Sequence, residues 1–306
     1  MADHNIFRGL ITALITPFNA AHEVDYDALK RLLHIQITNN VDSIIICSTT
    51  GESPTLSKAE KIQIIRFIVS EVNNKMSIIV ATGSNNTEES AEFSKEVCAL
   101  GVDGLILVTP YYNKPTQQGL YTHLKHIANS VHLPIMLYNV PSRTGVMLAA
   151  STVVALSQDC DNITAIKESS GNLEYMMRII QDTRSDFSLL AGDDIVAYPY
   201  IALGANGLVS VMSNAFPQAM KLLIDYSNQG DFAQAKQQHY KLLHAMRSIS
   251  QNGTNPMAIK YILHKMSVIS NELRLPMVPL ASPLSIDNKD KTDTIASLDN
   301  IITALR

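Results

Sequence analysis

The chain has 306 residues, a length that suits one large domain or two ordinary ones. Its 46% hydrophobic and 17% charged residues are typical of a globular fold with a buried core. The net charge is −4 and both signs are mixed along the sequence, so no basic stripe indicates nucleic-acid binding.

Short runs rich in Ile, Leu and Val recur through the first 211 residues. They are Leu10–Thr16, Ser43–Cys47, Ser77–Thr82, Gly104–Thr109, Ile135–Asn139, Ile163–Glu168, Ser188–Ala191 and Gly207–Val211. The runs are largely apolar, and the segments between them have helical periodicity, which is typical of a parallel sheet covered by helices. We predict an α/β fold, a (β/α)8 TIM barrel. An open doubly wound sheet is the alternative, but no glycine-rich phosphate-binding loop follows any run.

Helical patterns follow the runs and then continue alone. The first predicted helix has an apolar face of Leu29, Leu32, Leu33 and Ile37. The second begins at a capping box from Ser57 to Glu60 and has an apolar face of Ile62, Ile65 and Val69. Further helices are predicted at 214–229, 231–250, 255–270 and 289–305. We therefore predict a barrel at 1–229 and a C-terminal helical appendage at 230–306, packed as one compact chain.

Three cysteines, Cys47, Cys98 and Cys160, are far apart in sequence and have no CxxC spacing. This pattern argues against a disulfide framework or a zinc cluster and favours a reducing compartment. We interpret Cys47 as a core residue rather than a nucleophile. The sequence has no signal-peptide core and no apolar run long enough to span a bilayer, so we expect a cytoplasmic protein without a membrane partner.

Lys167 is the most informative candidate. It lies near the end of the apolar run Ile163–Glu168, whereas most other lysines lie in helical or polar segments. Burial favours the neutral form of a lysine amine, and a neutral amine can attack a carbonyl group to form a Schiff base. The alternative is a strand-end lysine that extends to solvent or pairs with Glu168.

Polar residues follow several predicted strands at the ends where a barrel of this kind has its active site. The segments are Ser48–Ser53, Thr109–Asn113, Tyr138–Thr144 and Gly192–Asp194. Hydroxyls and backbone amides suit a small carboxylate, a tyrosine suits proton transfer and an arginine suits a second carboxylate. Taken singly, these residues also suit turns, packing or solvated loops. No metal site is predicted, and His123 and His126 are not assigned as ligands because we expect no carboxylate beside them.

These motifs resemble the dihydrodipicolinate synthase family, which belongs to a superfamily of pyruvate-dependent class I aldolases that includes N-acetylneuraminate lyase. The likeness runs from about Gly9 to about Pro279. Its motifs are Thr-Thr-Gly-Glu-Ser at 49–53, Thr-Pro-Tyr-Tyr-Asn at 109–113, Tyr-Asn-Val-Pro-Ser-Arg-Thr-Gly at 138–145, Ile-Lys-Glu at 166–168, Gly-Asp-Asp at 192–194 and Asn-Pro at 255–256. The Gly-Glu turn and the lysine are shared across the superfamily, whereas the Arg143 segment and the tyrosine pair are more specific to the synthases.

The resemblance implies a reaction in lysine and diaminopimelate biosynthesis. Lys167 would form an imine with pyruvate, and the derived enamine would attack L-aspartate 4-semialdehyde to give 4-hydroxy-tetrahydrodipicolinate. No cofactor is implied beyond this covalent Schiff base. The implied catalytic residues are Lys167, Tyr138, Thr49 and Tyr112. The implied substrate-binding residues are Thr50, Arg143, Gly192 and Val209. Tyr112 would come from a neighbouring subunit of a homotetramer, a dimer of dimers.

Some members of the family are inhibited by L-lysine, bound in a cleft at a subunit interface. The matching positions here are Ser53, Pro54, Lys58, Lys61, Asn85, Glu89 and Tyr111. Lys58 and Lys61 depart from the pattern of lysine-sensitive members, which usually carry neutral or titratable residues there. Two fixed cations would repel a ligand with its own ammonium groups, so we expect weak or absent inhibition. Alternatively, both lysines stay on the solvated face of their helix and never reach the cleft.

Two other kinds of function remain open. A sister Schiff-base aldolase that acts on a keto-deoxy sugar acid would keep Lys167 and Tyr138 but would have no need of Arg143. A non-catalytic barrel would be expected to lose Lys167 or Tyr138, and both are present.

Overall fold

A closed barrel of parallel strands is the centre of the computed structural model, which describes residues 5–251, 254–280 and 291–305, the last segment by backbone alone as far as 295. The strands are β1 (Gly9–Ala13), β2 (Ser43–Ile46), β3 (Ser77–Ala81), β4 (Gly104–Val108), β5 (Ile135–Asn139), β6 (Ile163–Glu168), β7 (Ser188–Ala191) and β8 (Gly207–Ser210). Each strand pairs with the next along the chain, and β8 pairs with β1. The predicted (β/α)8 barrel is confirmed, and the doubly wound alternative is wrong.

Helices alternate with the strands and then continue beyond them. They are α1 (Tyr26–Thr38), α2 (Lys58–Val72), α3 (Thr87–Cys98), α4 (Gln117–Asn129), α5 (Pro141–Thr144), α6 (Ala150–Asp159), α7 (Leu173–Asp182), α8 (Ala197–Ala202), α9 (Pro217–Asn228), α10 (Phe232–Gln251), α11 (Met257–Lys265) and α12 (Lys291–Leu305). Short 3-10 turns lie at Ser53–Thr55, Asp194–Val196 and Met212–Asn214.

The start of α2 follows the predicted capping box. The Ser57 hydroxyl accepts from the Glu60 N–H, and the Glu60 carboxylate accepts from the Ser57 N–H at 2.8 Å. The buried face of α2 is rotated slightly from the predicted one. Its fully buried residues are Ile64, Ile65, Ile68 and Val72, whereas the predicted Ile62 and Val69 are half-buried.

Strand side chains alternate between two apolar layers, because successive residues of a strand point to opposite faces. The inner layer fills the barrel, and the outer layer packs the strands against the helices. On β6, Ala165 belongs to the inner layer, whereas Ile163 and Ile166 belong to the outer one.

A bulge in β6 decides which of its residues face inward. The pairing of β5 with β6 skips one residue of β6, Thr164, and beyond it Tyr138 lies opposite Lys167. Ala165 and Lys167 therefore share the inner face, and both candidate catalytic side chains reach the same end of the barrel.

The C-terminal helices pack beside the barrel. Helix α9 packs against β1 and β8, and α10 then packs against α9 and α12. The predicted helix at 255–270 is too long, since α11 ends at Lys265 and Ser267 has a left-handed φ of 61°. Helix α12 begins at Lys291, and the predicted positions 289–290 lie outside the described residues. None of the helices described is both long and apolar enough to cross a membrane.

Candidate active site

A cavity of about 610 Å³ opens at the C-terminal ends of β2 to β6. Its wall includes many of the residues predicted from the sequence, namely Thr49, Ser53, Pro54, Lys58, Lys61, Glu89, Tyr111, Tyr138, Arg143 and Lys167. The strand ends therefore bring both the candidate catalytic residues and most of the candidate regulatory residues to one concave surface.

Lys167 and Tyr138 are in direct contact in the cavity wall. They are paired across β6 and β5, and the Lys167 Nζ lies 4.2 Å from the centroid of the Tyr138 ring. The two residues are 7% and 8% exposed. An amine thus contacts the face of a phenol ring where both residues are largely buried, and both line the cavity.

The turn after β2 is shaped by close backbone contacts. Cys47 and Glu52 have left-handed φ angles of 53° and 56°. The Gly51 carbonyl accepts from the Thr16 hydroxyl at 2.7 Å, and a Cβ at Gly51 would lie 3.1 Å from the Leu14 carbonyl oxygen. A side chain at position 51 would be crowded.

The two threonines of this turn lie at different depths. Thr49 is half-buried in the cavity wall, and Thr50 is buried behind the wall at 3% exposure. A ligand in the cavity therefore meets Thr49 directly.

A buried ion pair lies behind this turn. Lys260 of α11 donates to the Glu52 carboxylate, and both side chains are 0% exposed. The Arg274 backbone N–H donates to the second carboxylate oxygen at 3.0 Å. The sequence analysis missed this contact. The available signal was a lysine flanked on α11 by the apolar residues Ile259 and Tyr261.

Arg143 lies on the short helix α5, which follows β5 directly. Its side chain is exposed and belongs to the cavity wall. The next residue, Thr144, is buried and donates to the Val140 carbonyl at 3.2 Å, which ties α5 to the end of β5. The exposed Arg143 and the buried Lys167 thus line the same cavity.

The two tyrosines after β4 differ in their surroundings. Tyr111 belongs to the cavity wall at 42% exposure. Tyr112 is 89% exposed, has a left-handed φ of 71° and lies outside the wall. A large aromatic side chain held in solvent by an unusual backbone conformation has no packing role within its own subunit.

Three predicted residues lie beside the cavity rather than in its wall. Gly192 follows β7 and donates its N–H to the Glu168 carbonyl at 2.7 Å, and a Cβ there would overlap Ser169. Val209 is buried in the barrel interior. Asn85 donates to the Tyr111 carbonyl at 3.2 Å. These three residues are therefore next to the site and outside the cavity wall.

Lys58 and Lys61 both reach the cavity, contrary to the alternative that they stay on a solvated face away from it. The Lys58 Nζ lies 2.6 Å from the Glu96 carboxylate, and the Lys61 Nζ lies 5.9 Å from the centroid of the Phe93 ring. The wall also contains Glu92 and Phe93, which the sequence analysis did not identify. They become visible only once α3 is known to flank this cavity.

The remaining candidate groups are a cysteine and two histidines. Cys47 is buried in the core, as interpreted from the sequence, and burial raises the pKa of its thiol to about 12. The carboxylate of Glu88 lies 3.3 Å from His126, so the expected lack of a carboxylate beside the histidines is wrong. His123 is buried, and burial lowers its pKa to about 4. Within the described ranges, no three His, Cys, Asp or Glu side chains form a metal-binding group.

The chain matches a family model described as the dihydrodipicolinate synthetase family over residues 6–295. The 4-hydroxy-tetrahydrodipicolinate synthase of Oceanobacillus iheyensis is 44% identical over 274 residues, which cover 90% of this chain and 92% of that protein. The crystal structure of dihydrodipicolinate synthase from Aquifex aeolicus has a TM-score of 0.92 and 38% identity, and the match covers 98% of this chain and 100% of that one. The chloride-inhibited dihydrodipicolinate synthase from Acinetobacter baumannii, crystallised with pyruvate, has a TM-score of 0.91 and 37% identity over 98% of this chain and 99% of that one. The chain therefore belongs to the dihydrodipicolinate synthetase family.

Proposed function

We propose that this protein condenses pyruvate with L-aspartate 4-semialdehyde to give 4-hydroxy-tetrahydrodipicolinate, in lysine and diaminopimelate biosynthesis. The family and the synthase names of the relatives support this lyase activity. The observation that carries the mechanism is the buried Lys167 amine, 4.2 Å from the centroid of the Tyr138 ring and open to the cavity.

In the proposed reaction the Lys167 amine attacks the ketone carbon of pyruvate, and loss of water leaves an imine. Removal of a methyl proton gives an enamine, whose terminal carbon attacks the semialdehyde and forms the new carbon–carbon bond. The amino group of the bound intermediate then displaces Lys167 from the imine carbon and closes the ring. The lysine is regenerated, and the reaction needs no cofactor.

Each of these steps moves a proton, so the site needs a positioned acid and base. Tyr138 is the proposed acid and base because it contacts Lys167 and opens to the same cavity. Thr49 and a Tyr112 from a neighbouring subunit would complete its proton relay.

The two carboxylates of the substrates need separate binding groups. Thr50 is outside the cavity wall but adjoins Thr49, which lines it, and Thr50 with its backbone amide is proposed to hold the pyruvate carboxylate beside Lys167. Arg143, exposed in the cavity wall, is proposed to hold the carboxylate of the semialdehyde by a bidentate contact. The backbones of Gly192 and Val209, beside the cavity, are proposed to border the bound substrate on the side of β7 and β8.

We further propose a homotetramer built as a dimer of dimers. The exposed Tyr112, outside its own cavity, supports a first contact through which neighbouring subunits complete each other's sites. Leu173 and Met177, 41% and 45% exposed on one face of α7, support a second contact elsewhere on the surface. A cytoplasmic location is proposed because all three cysteines are free thiols.

The outer part of the cavity is proposed as a regulatory cleft that binds L-lysine weakly or not at all. Its wall carries Lys58 and Lys61, whose charges oppose a ligand with ammonium groups. Glu89 and Tyr111 of the same wall, with the neighbouring Asn85, would be the favourable contacts.

Borohydride reduction in the presence of pyruvate tests the proposal, because it converts the imine into a stable adduct that peptide mapping can locate. We expect the adduct on Lys167 alone, none in Lys167→Arg, and product formation with L-aspartate 4-semialdehyde. A mass increase at another lysine would contradict the assignment of Lys167 as the nucleophile. Cleavage of keto-deoxy sugar acids without semialdehyde activity would favour the sister aldolase.

A further inference from the structure

The turn at 48–55 after β2 has two sides. Ser48, Thr49, Ser53 and Pro54 line the cavity. The Glu52 side chain is turned instead toward the C-terminal region, where it is fully buried. The turn therefore lines the proposed pyruvate site with one side and contacts the C-terminal region with the other.

The groups that hold Glu52 come from beyond the barrel. Lys260 donates to one carboxylate oxygen and the Arg274 N–H donates to the other. The Lys260 Nζ also donates to the Glu272 carbonyl at 2.9 Å and lies 4.2 Å from the centroid of the Phe18 ring. The ammonium and the carboxylate are thus surrounded by hydrogen-bonding and aromatic partners.

Arg274 holds the end of the same turn. Its guanidinium donates to the Thr55 carbonyl at 2.9 Å and forms a bidentate contact with Glu60 at 2.6 and 3.1 Å. The segment around residue 274 therefore touches both the turn and the start of α2.

Stability alone gives a poor reason for this ion pair. Both charges lose their hydration, and an apolar pair of similar volume often stabilises a fold at least as well. Glu52 also has a left-handed φ of 56°, which glycine or asparagine would adopt with less strain. The reason for a glutamate at this position lies in what its side chain holds.

We propose that Glu52 and Lys260 are positioning residues, which fix the Thr49–Thr50 turn so that it can receive the carboxylate of pyruvate. The inference deepens the proposed function and rests on it. Glu52 is two residues from Thr50, and its N–H donates to the Thr49 carbonyl at 3.1 Å, so any shift of Glu52 displaces the turn. The C-terminal region then controls pyruvate binding without touching the substrate.

Three variants separate this role from a purely structural one. Lys260→Met removes the charge, keeps the length and leaves Glu52 buried without its counter-ion. The double variant Lys260→Met/Glu52→Gln removes both charges, which commonly restores stability. Lys265→Met replaces a half-exposed lysine of the same helix and is the matched control.

Three measurements are made on each full-length variant. Borohydride trapping against pyruvate concentration measures pyruvate affinity, steady-state rates at saturating pyruvate give KM for the semialdehyde, and thermal unfolding gives Tm. We expect the single and double variants to weaken pyruvate binding about tenfold or more, because misplacement of a binding group by ~1 Å has effects of this size. KM for the semialdehyde stays within about twofold of the wild-type value, and the control behaves as wild type.

The double variant gives the decisive comparison. The proposal requires its Tm to recover while its pyruvate affinity stays weak. Recovery of Tm and pyruvate affinity together would overturn the proposal, because the ion pair would then only stabilise the fold. An equal loss of affinity for pyruvate and for the semialdehyde would overturn it for the same reason. If Lys260→Met does not fold, the Tm and the pyruvate affinity of the double variant, compared with those of the wild type, decide the question. Failure of the wild-type protein to form an adduct at Lys167 would remove the proposed function and this inference with it.

Discussion

Two buried lysines of this protein, Lys167 on β6 and Lys260 on α11, differ in what surrounds the ammonium group. Each Nζ lies 4.2 Å from the centroid of an aromatic ring, of Tyr138 for Lys167 and of Phe18 for Lys260. They are 7% and 0% exposed. Lys260 pairs with Glu52, whereas among the residues that the structure describes no carboxylate forms an ion pair with Lys167.

The difference shows that burial alone does not make a lysine a nucleophile. Burial lowers the pKa of Lys260 to about 8, and its contact with Glu52 opposes that shift and favours the charged form. A lysine held as an ammonium against a carboxylate cannot attack a carbonyl group. Lys167 has access to the cavity and no fixed counter-ion, and these two features suit it to covalent catalysis.

The largest expected effect follows from removing the proposed nucleophile. Lys167→Ala should fold, form no pyruvate adduct on borohydride reduction and lose about 10⁴-fold or more in kcat, because the variant lacks the amine that lies beside Tyr138. Lys260→Met should still form the adduct at saturating pyruvate. An adduct on Lys260 in the Lys167→Ala variant would reverse the two roles.

The next effect concerns the ring beside the nucleophile. Tyr138→Phe keeps the contact with Lys167 but removes the hydroxyl, so we expect kcat to fall by roughly 10²–10⁴-fold. Tyr121→Phe, which removes a hydroxyl outside the cavity wall, is the control and should keep the wild-type kcat. Equal rates for the two variants would exclude Tyr138 as the acid and base.

A smaller effect should separate the two substrates. Arg143→Ala removes one charged contact and should raise KM for the semialdehyde by about 10–100-fold, while pyruvate trapping at Lys167 stays close to wild type. Arg143→Lys should fall between the two, because a lysine cannot form the bidentate contact. Loss of the pyruvate adduct in Arg143→Ala would show that the substrates are assigned to the wrong groups.

The lysines of the outer cavity should act on a ligand rather than on catalysis. Like charges about 4 Å apart cost on the order of 1 kcal/mol in water, so Lys58→Gln/Lys61→Gln should strengthen L-lysine inhibition about tenfold from a weak starting value. Rates measured against L-lysine concentration test this, with Lys265→Gln as the control. Strong inhibition of the wild-type protein by sub-millimolar L-lysine would contradict the prediction.

The smallest effect tests the charged contacts around Lys260 as elements of stability. Hydrogen bonds from Arg274 lower the pKa of Glu60 to about 2, so its contribution is present above about pH 4.5 and is lost as the pH falls toward 2. Glu60→Gln should lower the free energy of unfolding at pH 7 by on the order of 1 kcal/mol. The difference from wild type, followed by denaturant unfolding, should shrink across this window. A constant difference would mean that the charge of Glu60 is not the cause.

The fold was predictable because the apolar strands of a barrel buried on both faces differ clearly from its amphipathic helices. Strand positions were right within a few residues, but β1 ends at Ala13 rather than at the predicted Thr16. Apolar content predicts what is buried, and it does not mark where the hydrogen-bond ladder stops. For the same reason, the helix predicted at 255–270 extended beyond Lys265, where α11 ends.

The site was partly predictable for a geometric reason. Residues at the C-terminal ends of parallel strands must meet at one rim, so Thr49, Tyr138 and Lys167 could be brought together from sequence alone, although their chemical roles stay predictions. Lys260 could not, because its partner Glu52 is more than 200 residues away and no periodicity links α11 to the turn after β2. Pairing between distant segments appears only in three dimensions.

The extra residue Thr164 in β6 makes the chemistry depend on a local backbone bulge as well as on residue identity. A one-residue shift exchanges the two faces of a pleated strand. If Thr164 were paired in a regular ladder after Ile163, Lys167 would point outward among the helices and Ile166 would point into the barrel, with every proposed catalytic side chain still present in the sequence. Deleting Thr164, in contrast, would bring Ala165 next to Ile163 and keep Lys167 opposite Tyr138, so the orientation of the lysine depends on this bulge and cannot be found by counting residues along β6 from Ile163.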